Sequence, residues 1–249
     1  MIALSLIAGC RPHQTSLTRD AAEATPLLVA GPTDAFAAEV DAPRDEPIER
    51  RASGAFGIVV ASKTAEPPVV LYLHGMWASP EDSCSFFERA AAEAVLVCPR
   101  GNAPAESGGA WRGTLLEKRR SIDAALEVAK DLVRPRTLAT SGGVAMGFSS
   151  GAALALELAL AAPGRWSGLV LMSMKLQLDP ARLKTAGVKR VALAAGDLDG
   201  SQPSMVQNQK MLAAAGVDAR FFTLGPVGHH FAANMESRMV DVLAWVRAP

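Results

Sequence analysis

The sequence has no excess of charge of either sign: 25 Lys and Arg stand against 25 Asp and Glu in 249 residues. Without net positive charge there is no long-range attraction toward nucleic acid or an anionic membrane. The densest basic cluster, Lys118-Arg119-Arg120, reads as a solvated helix face. Long apolar runs are missing too. After the N-terminus the most apolar stretch, Ala152 to Ala162, is interrupted by Glu157 and stopped by Pro163. That is well short of the ~20 residues a membrane-spanning helix needs. Cysteine is scarce, with 3 residues and no CxxC, which leaves zinc ribbons and thioredoxin-like chemistry without their ligands and thiols. What is present, 49% hydrophobic and 20% charged residues, suits a globular body that buries a core without staples.

The N-terminus departs from that balance. Met1 to Gly9 is apolar and rich in small residues, and Ile7-Ala8-Gly9-Cys10 resembles a bacterial lipobox, in which cleavage precedes a cysteine that carries lipid. It lacks Lys or Arg before the apolar stretch, as a start site placed too late would explain. The expectation is a signal and lipobox over 1–10, lipidation at Cys10 and anchoring on the periplasmic or outer face of a bacterial envelope. A cytoplasmic protein with an ordinary N-terminus is the alternative. Residues 11–53 carry Pro12, Pro26, Pro32, Pro43 and Pro47, more acidic than basic side chains and no sustained period, as a linker or loosely docked arm would. The folded domain is expected over 54–249.

From Phe56 onward, β-branched runs alternate with Ala-rich stretches, the pattern of a parallel sheet covered on both faces. Strands are expected at Phe56 to Ser62, Val69 to Leu73, Val95 to Cys98, Val144 to Phe148, Gly168 to Met172, Arg190 to Ala194 and Ala219 to Leu224. Helices are expected from Ser79-Pro80-Glu81 to about Glu93, and at Leu115 to Leu132, Ala152 to Ala161, Ser204 to Ala215 and Phe231 to Val246. The class is therefore α/β, with a mostly parallel open sheet of about seven or eight strands. Between the strands ending near Ser173 and beginning near Val188, Met174 to Gly187 has room for one short helix, such as Asp179 to Thr185, and none for a lid domain. If the chain is exported, Cys84 and Cys98 are either bridged, at about 3 kcal/mol in the chain-entropy model, or two buried thiols.

Gly147-Phe148-Ser149-Ser150-Gly151 lies between a buried-looking strand and an Ala/Leu helix. A sharp strand-to-helix turn there lifts the serine above the sheet, and the flanking glycines let the chain pass. The same Gly-rich turn could hold phosphate, but Gly142 to Gly151 has neither the Lys of a Walker loop nor GxGxxG spacing. A serine hydroxyl needs a base, and the base needs an orienting carboxylate. Downstream stand Gly196-Asp197-Leu198-Asp199 and Gly228-His229-His230, each after a strand. Asp197 and Asp199 are both candidates for the acid, and His229 and His230, being adjacent, offer only one base that can face the serine. His229 and His230 as zinc ligands is a further alternative, with no acidic or cysteine partner at ligand spacing.

These features together resemble the α/β-hydrolase superfamily. His74-Gly75 after an early strand, Pro99-Arg100-Gly101 after the next, the serine elbow, the GxxD turn and the GH turn are similar to its dienelactone hydrolase and carboxylesterase/thioesterase branch. The resemblance runs from Gly54 to the end. It implies Ser149 as nucleophile, His229 as general base and acid, Asp199 as orienting carboxylate, and Met76 and Ser150 as oxyanion donors. His74-Gly75-Met76-Trp77 is not the HGGG turn of hormone-sensitive-lipase-like esterases, so the tertiary-alcohol ester chemistry of that turn is not implied. His74, Gly75, Trp77, Trp111 and His230 are candidate pocket residues, and Trp111 either lines an acyl pocket or packs its own loop down. No metal or cofactor is expected.

The function expected is a serine hydrolase acting on carboxylic esters or thioesters, with a preference for short acyl groups because no lid covers the site. Its partners are then a small-molecule substrate and a membrane reached only through the lipid anchor, with no nucleic acid. The alternatives are a surface lipoprotein that uses the fold as a binding module, and a peptidase or acyltransferase.

Overall fold

A computed structural model describes residues 49–53, 56–60, 62–79 and 83–248. The lipobox, Cys10 and the arm up to residue 48 lie outside the described residues. The strands are β1 Glu49–Ser53, β2 Phe56–Val60, β3 Val69–Leu73, β4 Val95–Pro99, β5 Ala103–Ala105, β6 Gly108–Ala110, β7 Gly143–Phe148, β8 Trp166–Met172, β9 Arg190–Ala195 and β10 Asp218–Thr223. The α-helices are α1 Leu115–Leu132, α2 Ser150–Ala161, α3 Pro180–Thr185, α4 Gln202–Ala214 and α5 Met235–Arg247.

Among the described residues, eight strands form one sheet in the order β1-β2-β4-β3-β7-β8-β9-β10, while β5 and β6 pair as a separate hairpin. β2 is antiparallel to both its neighbours, and every pair from β4 across to β10 is parallel. Successive strand residues point to opposite faces, and both faces are buried. In β3, Val69, Leu71 and Leu73 join the core under α1, α2, α3 and α4, whereas Val70 and Tyr72 join the core under α5 and residues 83–94. Each fully buried aliphatic side chain contributes roughly 1.5–3 kcal/mol, so the central strands are anchored from both sides.

Four sequence expectations need correction. Glu49–Ser53, assigned to the arm, pairs with β2 and extends the sheet to the N-terminal side of Gly54. As an edge strand it is bonded on one side, and its charged sequence gave no alternation to detect. The helix expected to run to Glu93 is helical at Ser83 and Cys84, then tightens into a 3-10 turn at Ser85–Phe87 and ends in turns, and part of its start lies outside the described residues. This segment buries Phe87, Ala90, Ala91 and Ala94 against the sheet, and tertiary contact overrides the helix preference of alanine there. Cys84 within it is joined to Cys98 of β4, with a Cα–Cα distance of 6.1 Å. α5 begins at Met235 rather than Phe231, because Phe231 packs edge-on against Phe86, Phe87 and Phe148 before the helix starts. The β5–β6 hairpin, short and made of Ala, Pro and Gly, was not expected.

The C-terminal ends of the parallel strands share one edge. There the turns after β3, β4, β7, β8, β9 and β10 meet, and in open α/β sheets that edge carries the ligand.

Candidate active site

Between β7 and α2 the chain turns sharply at Ser149, which has φ 54° and ψ −122°. This left-handed backbone costs a non-glycine residue on the order of 1–3 kcal/mol and persists only where its surroundings impose it. They do so here by close packing. A Cβ on Gly147 would stand 2.2 Å from the Gly151 carbonyl oxygen, and one on Gly151 would stand 1.9 Å from that of Leu73. The Ser149 N–H donates to the Met172 carbonyl at 2.9 Å, tying the elbow to β8. Ser149 is also the N-cap residue of α2 but makes no side-chain cap bond, so its hydroxyl is free for another partner.

That partner is His229. Its Nε2 lies 3.0 Å from Ser149 Oγ, and its Nδ1 lies 3.0 Å from Asp199 Oδ2. Asp199 is only 5% exposed, and its other oxygen, Oδ1, accepts from the Ser201 N–H at 2.8 Å and the Ser201 hydroxyl at 2.7 Å. Burial pushes the Asp199 pKa up, but the hydrogen bonds from Ser201 and His229, with a contribution from the nearby Ser173 hydroxyl, outweigh it and hold the carboxyl below the ordinary aspartate value. An ionised carboxylate only accepts, so His229 Nδ1 carries the proton and donates it, and Nε2 is left as the acceptor for the Ser149 O–H. Half of the His229 side chain is exposed, which leaves the serine end of the line open to solvent.

The turns carrying Asp199 and His229 are zipped together. Asp197 N–H donates to the Gly225 carbonyl at 2.8 Å and Leu198 N–H to that of Val227 at 3.1 Å. Gly196 permits this approach, since a Cβ there would meet the Val227 oxygen at 2.1 Å. Asp197 is drawn the other way and accepts from Thr223 Oγ1 at 2.5 Å. His230 Nδ1 lies 3.1 Å from the Phe231 carbonyl oxygen, a hydrogen bond within its own turn.

Across the elbow, a Cβ on Gly75 would lie 3.4 Å from Ser149 Cβ, which brings the turn after β3 against the serine. Met76 and Trp77, next in that turn, are half exposed. His74 is 1% exposed, with Nδ1 2.6 Å from the Gly75 carbonyl and Nε2 2.5 Å from that of Arg100. Burial holds its pKa below the ordinary histidine value. His74 is thus a support beneath the turn rather than a wall open to solvent. Trp111 packs against the core, and its Nε1–H donates to the His74 carbonyl at 3.0 Å. Of the two roles expected for it, packing the loop is the one its contacts match. Ser201, Ser173 and the hydrogen bonds of Ser107 and Gly109 to the turn after β3 were missed by sequence reasoning. Only Ser201 left a local signal, the Asp-Gly-Ser spacing of an Asx turn. Among the described residues no group of three or more His, Cys, Asp or Glu is placed to hold a metal ion.

A family model described as phospholipase/carboxylesterase matches residues 55–215, which include Ser149 and Asp199 and end before His229. No curated protein sequence matches the chain. Among solved structures, the carboxylesterase of Bacillus cereus is 20% identical at a TM-score of 0.56, over 77% of this chain and 92% of that one. FphF of Staphylococcus aureus, a fluorophosphonate-binding serine hydrolase, is 14% identical at 0.55, over 78% and 92%. The hyperthermophilic esterase of the archaeon Pyrobaculum calidifontis is 15% identical at 0.59, over 82% and 84%. At such identities these structures establish the α/β-hydrolase fold, and the family model covers most of the chain. The chain belongs to the phospholipase/carboxylesterase family of α/β-hydrolases.

Proposed function

We propose that the protein is a serine hydrolase of carboxylic esters or thioesters, working through an acyl-enzyme. The observation that carries this is the unbroken line from Ser149 Oγ through His229 to Asp199, two hydrogen bonds of 3.0 Å each, on a strained elbow held by two glycines. Ser149 Oγ attacks the substrate carbonyl carbon as its proton passes to His229 Nε2. The tetrahedral oxyanion is met by the backbone N–H groups of Met76 and Ser150, neither of which donates to a backbone carbonyl among the described residues. His229 returns the proton to the departing alkoxide or thiolate. It then takes one from water, whose oxygen attacks the acyl-enzyme, and finally restores it to Ser149. Asp199 stays ionised throughout and keeps the proton on Nδ1 in the resting enzyme.

Short acyl groups are favoured in this proposal. Between β8 and β9 stands only α3, and its neighbourhood is tied down by the Asn208 Nδ2–H bond to the Leu176 carbonyl at 2.9 Å. An open site recovers much less than the ~0.8 kcal/mol per methylene of full burial. We also propose export to an oxidising compartment, supported by the Cys84–Cys98 bridge and the lipobox-like start.

A fluorophosphonate probe followed by peptide mass spectrometry tests the central proposal. Ser149 is expected to be the labelled residue, and Ser149→Ala is expected to lose labelling together with at least a thousandfold in ester hydrolysis. Labelling elsewhere, or an active Ser149→Ala enzyme, overturns it.

A further inference from the structure

The β5–β6 hairpin and Trp111 touch none of Ser149, His229 and Asp199 by hydrogen bond, yet they grip the turn that carries Met76. Trp77 has φ 69°, a left-handed backbone that a bulky residue keeps only when its neighbours impose it. Its N–H donates to the Gly109 carbonyl, the Gly109 N–H donates to the Ala78 carbonyl, and Ser107 Oγ donates to the Trp77 carbonyl, each at 3.0 Å. Gly108 and Gly109 allow this approach, since a Cβ on the first would stand 2.5 Å from the Trp77 and Ala78 oxygens and one on the second 1.7 Å from that of Arg100.

On the other side of Met76, the Trp111 indole donates to the His74 carbonyl, and its ring lies 5.2 Å from the His74 imidazole. That imidazole is wedged between the Gly75 and Arg100 carbonyls. The Gly75 carbonyl also accepts from Ala78 N–H at 3.4 Å. In a planar trans peptide the Met76 N–H points opposite to the Gly75 C=O, so whatever fixes that carbonyl aims that donor.

We propose that Trp111 is a positioning residue for the oxyanion donor: through His74 it fixes the Gly75–Met76 peptide plane before substrate arrives. The inference rests on the oxyanion role proposed above for Met76. A donor that is aimed in advance gains in the transition state and not in substrate binding. The sign of the effect therefore separates positioning from a pocket wall, which would act on KM.

The test replaces Trp111 by Phe, which keeps a ring and removes the donor. Expected are a kcat lower by about tenfold, a KM within about twofold of the wild type, and a loss of affinity for a trifluoromethyl ketone, whose serine adduct carries an oxyanion, that parallels the fall in kcat/KM. Should Trp111→Phe fail to fold, benzothienylalanine at position 111 removes the N–H at nearly constant shape and is held to the same outcomes. A raised KM at constant kcat, or kcat and ketone affinity both unmoved, overturns the inference. Labelling of wild-type Ser149 and the inactivity of Ser149→Ala are measured alongside. If they fail, the serine mechanism fails; if they hold while Trp111→Phe is silent, only the positioning role falls.

Discussion

Ser149 follows β7 and Ser173 follows β8, and because Phe148 pairs with Met172 the two serines are neighbours on the same edge. Their φ angles match, at 54° and 53°. The Ser149 N–H donates to Met172 at 2.9 Å and the Ser173 N–H to Ala194 at 2.8 Å, in each case the neighbouring strand. There the likeness ends. Ser149 opens a helix and meets His229, while Ser173 is 1% exposed, is followed by an irregular connection, and its hydroxyl finds no hydrogen-bond partner of ordinary geometry. It lies near enough to Asp199 to favour the ionised carboxylate. A strained serine at a strand end is thus a property of this sheet edge. The proposed nucleophile is distinguished by its base and its exposure, and Asp199 is the group that both serines serve or are served by.

The sharpest way to break that distinction is to remove the charge of Asp199. Asn at 199 can present its amide nitrogen to His229, which favours the wrong tautomer and leaves Ser149 without an acceptor. Asp199→Asn is expected to lower kcat by roughly 10²- to 10⁴-fold, and Asp197→Asn by less than tenfold, because Asp197 is bonded to Thr223 and faces away. Steady-state kinetics of the two variants checks this, and the reverse ranking would move the acid to Asp197.

A smaller effect is expected at Ser201, whose hydroxyl is one of two donors on Asp199 Oδ1. Because the folded-state pKa of Asp199 is depressed, its carboxylate contributes stability that is full above the unfolded-state value, about 3.9, and is lost as pH falls through the lower folded value. Removing the Ser201 hydroxyl raises the folded value and narrows its gap from the unfolded one, so Ser201→Ala should be less stable than the wild type near pH 6, should lose less stability on acidification, and should approach the wild-type curve at low pH. Ser201→Thr should restore the wild-type behaviour. Melting temperatures from pH 2 to 6 test this, and superimposable pH curves for Ser201→Ala and wild type would remove Ser201 from the support of the acid.

The motif residues were legible in the sequence because each is announced by its own turn: Gly-x-Ser-x-Gly, Gly-x-x-Asp and Gly-His are local demands of backbone geometry, readable without knowing what lies across the fold. The central strands were legible because burial on both faces leaves near-continuous apolar runs such as Val69–Leu73. Ser173, Ser201 and the Trp111 bond were not, since a serine beside an aspartate matters only once the chain has folded. Gly108 is equally silent, because the Trp77 and Ala78 carbonyls that exclude a Cβ there belong to a turn thirty residues away in the chain.

The smallest expected effect tests whether the two backbones are equally strained. Glycine adopts φ near +54° without the penalty a Cβ brings, although it loses more freedom on folding, so relief of the strain should exceed that loss only modestly. Ser149→Gly and Ser173→Gly should therefore each stabilise the fold by about 1 kcal/mol, a rise of roughly 2–4 °C in Tm for a body of this size. Only the first should abolish activity. The prediction is more exposed at Ser173, where removing a buried hydroxyl also leaves a small void and withdraws an influence that keeps Asp199 ionised. Calorimetry of both variants at neutral pH decides it. If Ser149→Gly stabilises and Ser173→Gly destabilises by a similar amount, then the Ser173 hydroxyl contributes more than its missing hydrogen bond suggests. Equal gains would instead mean that the strain belongs to the sheet edge alone, and that at Ser149 it is kept because the same turn brings the hydroxyl within 3.0 Å of His229.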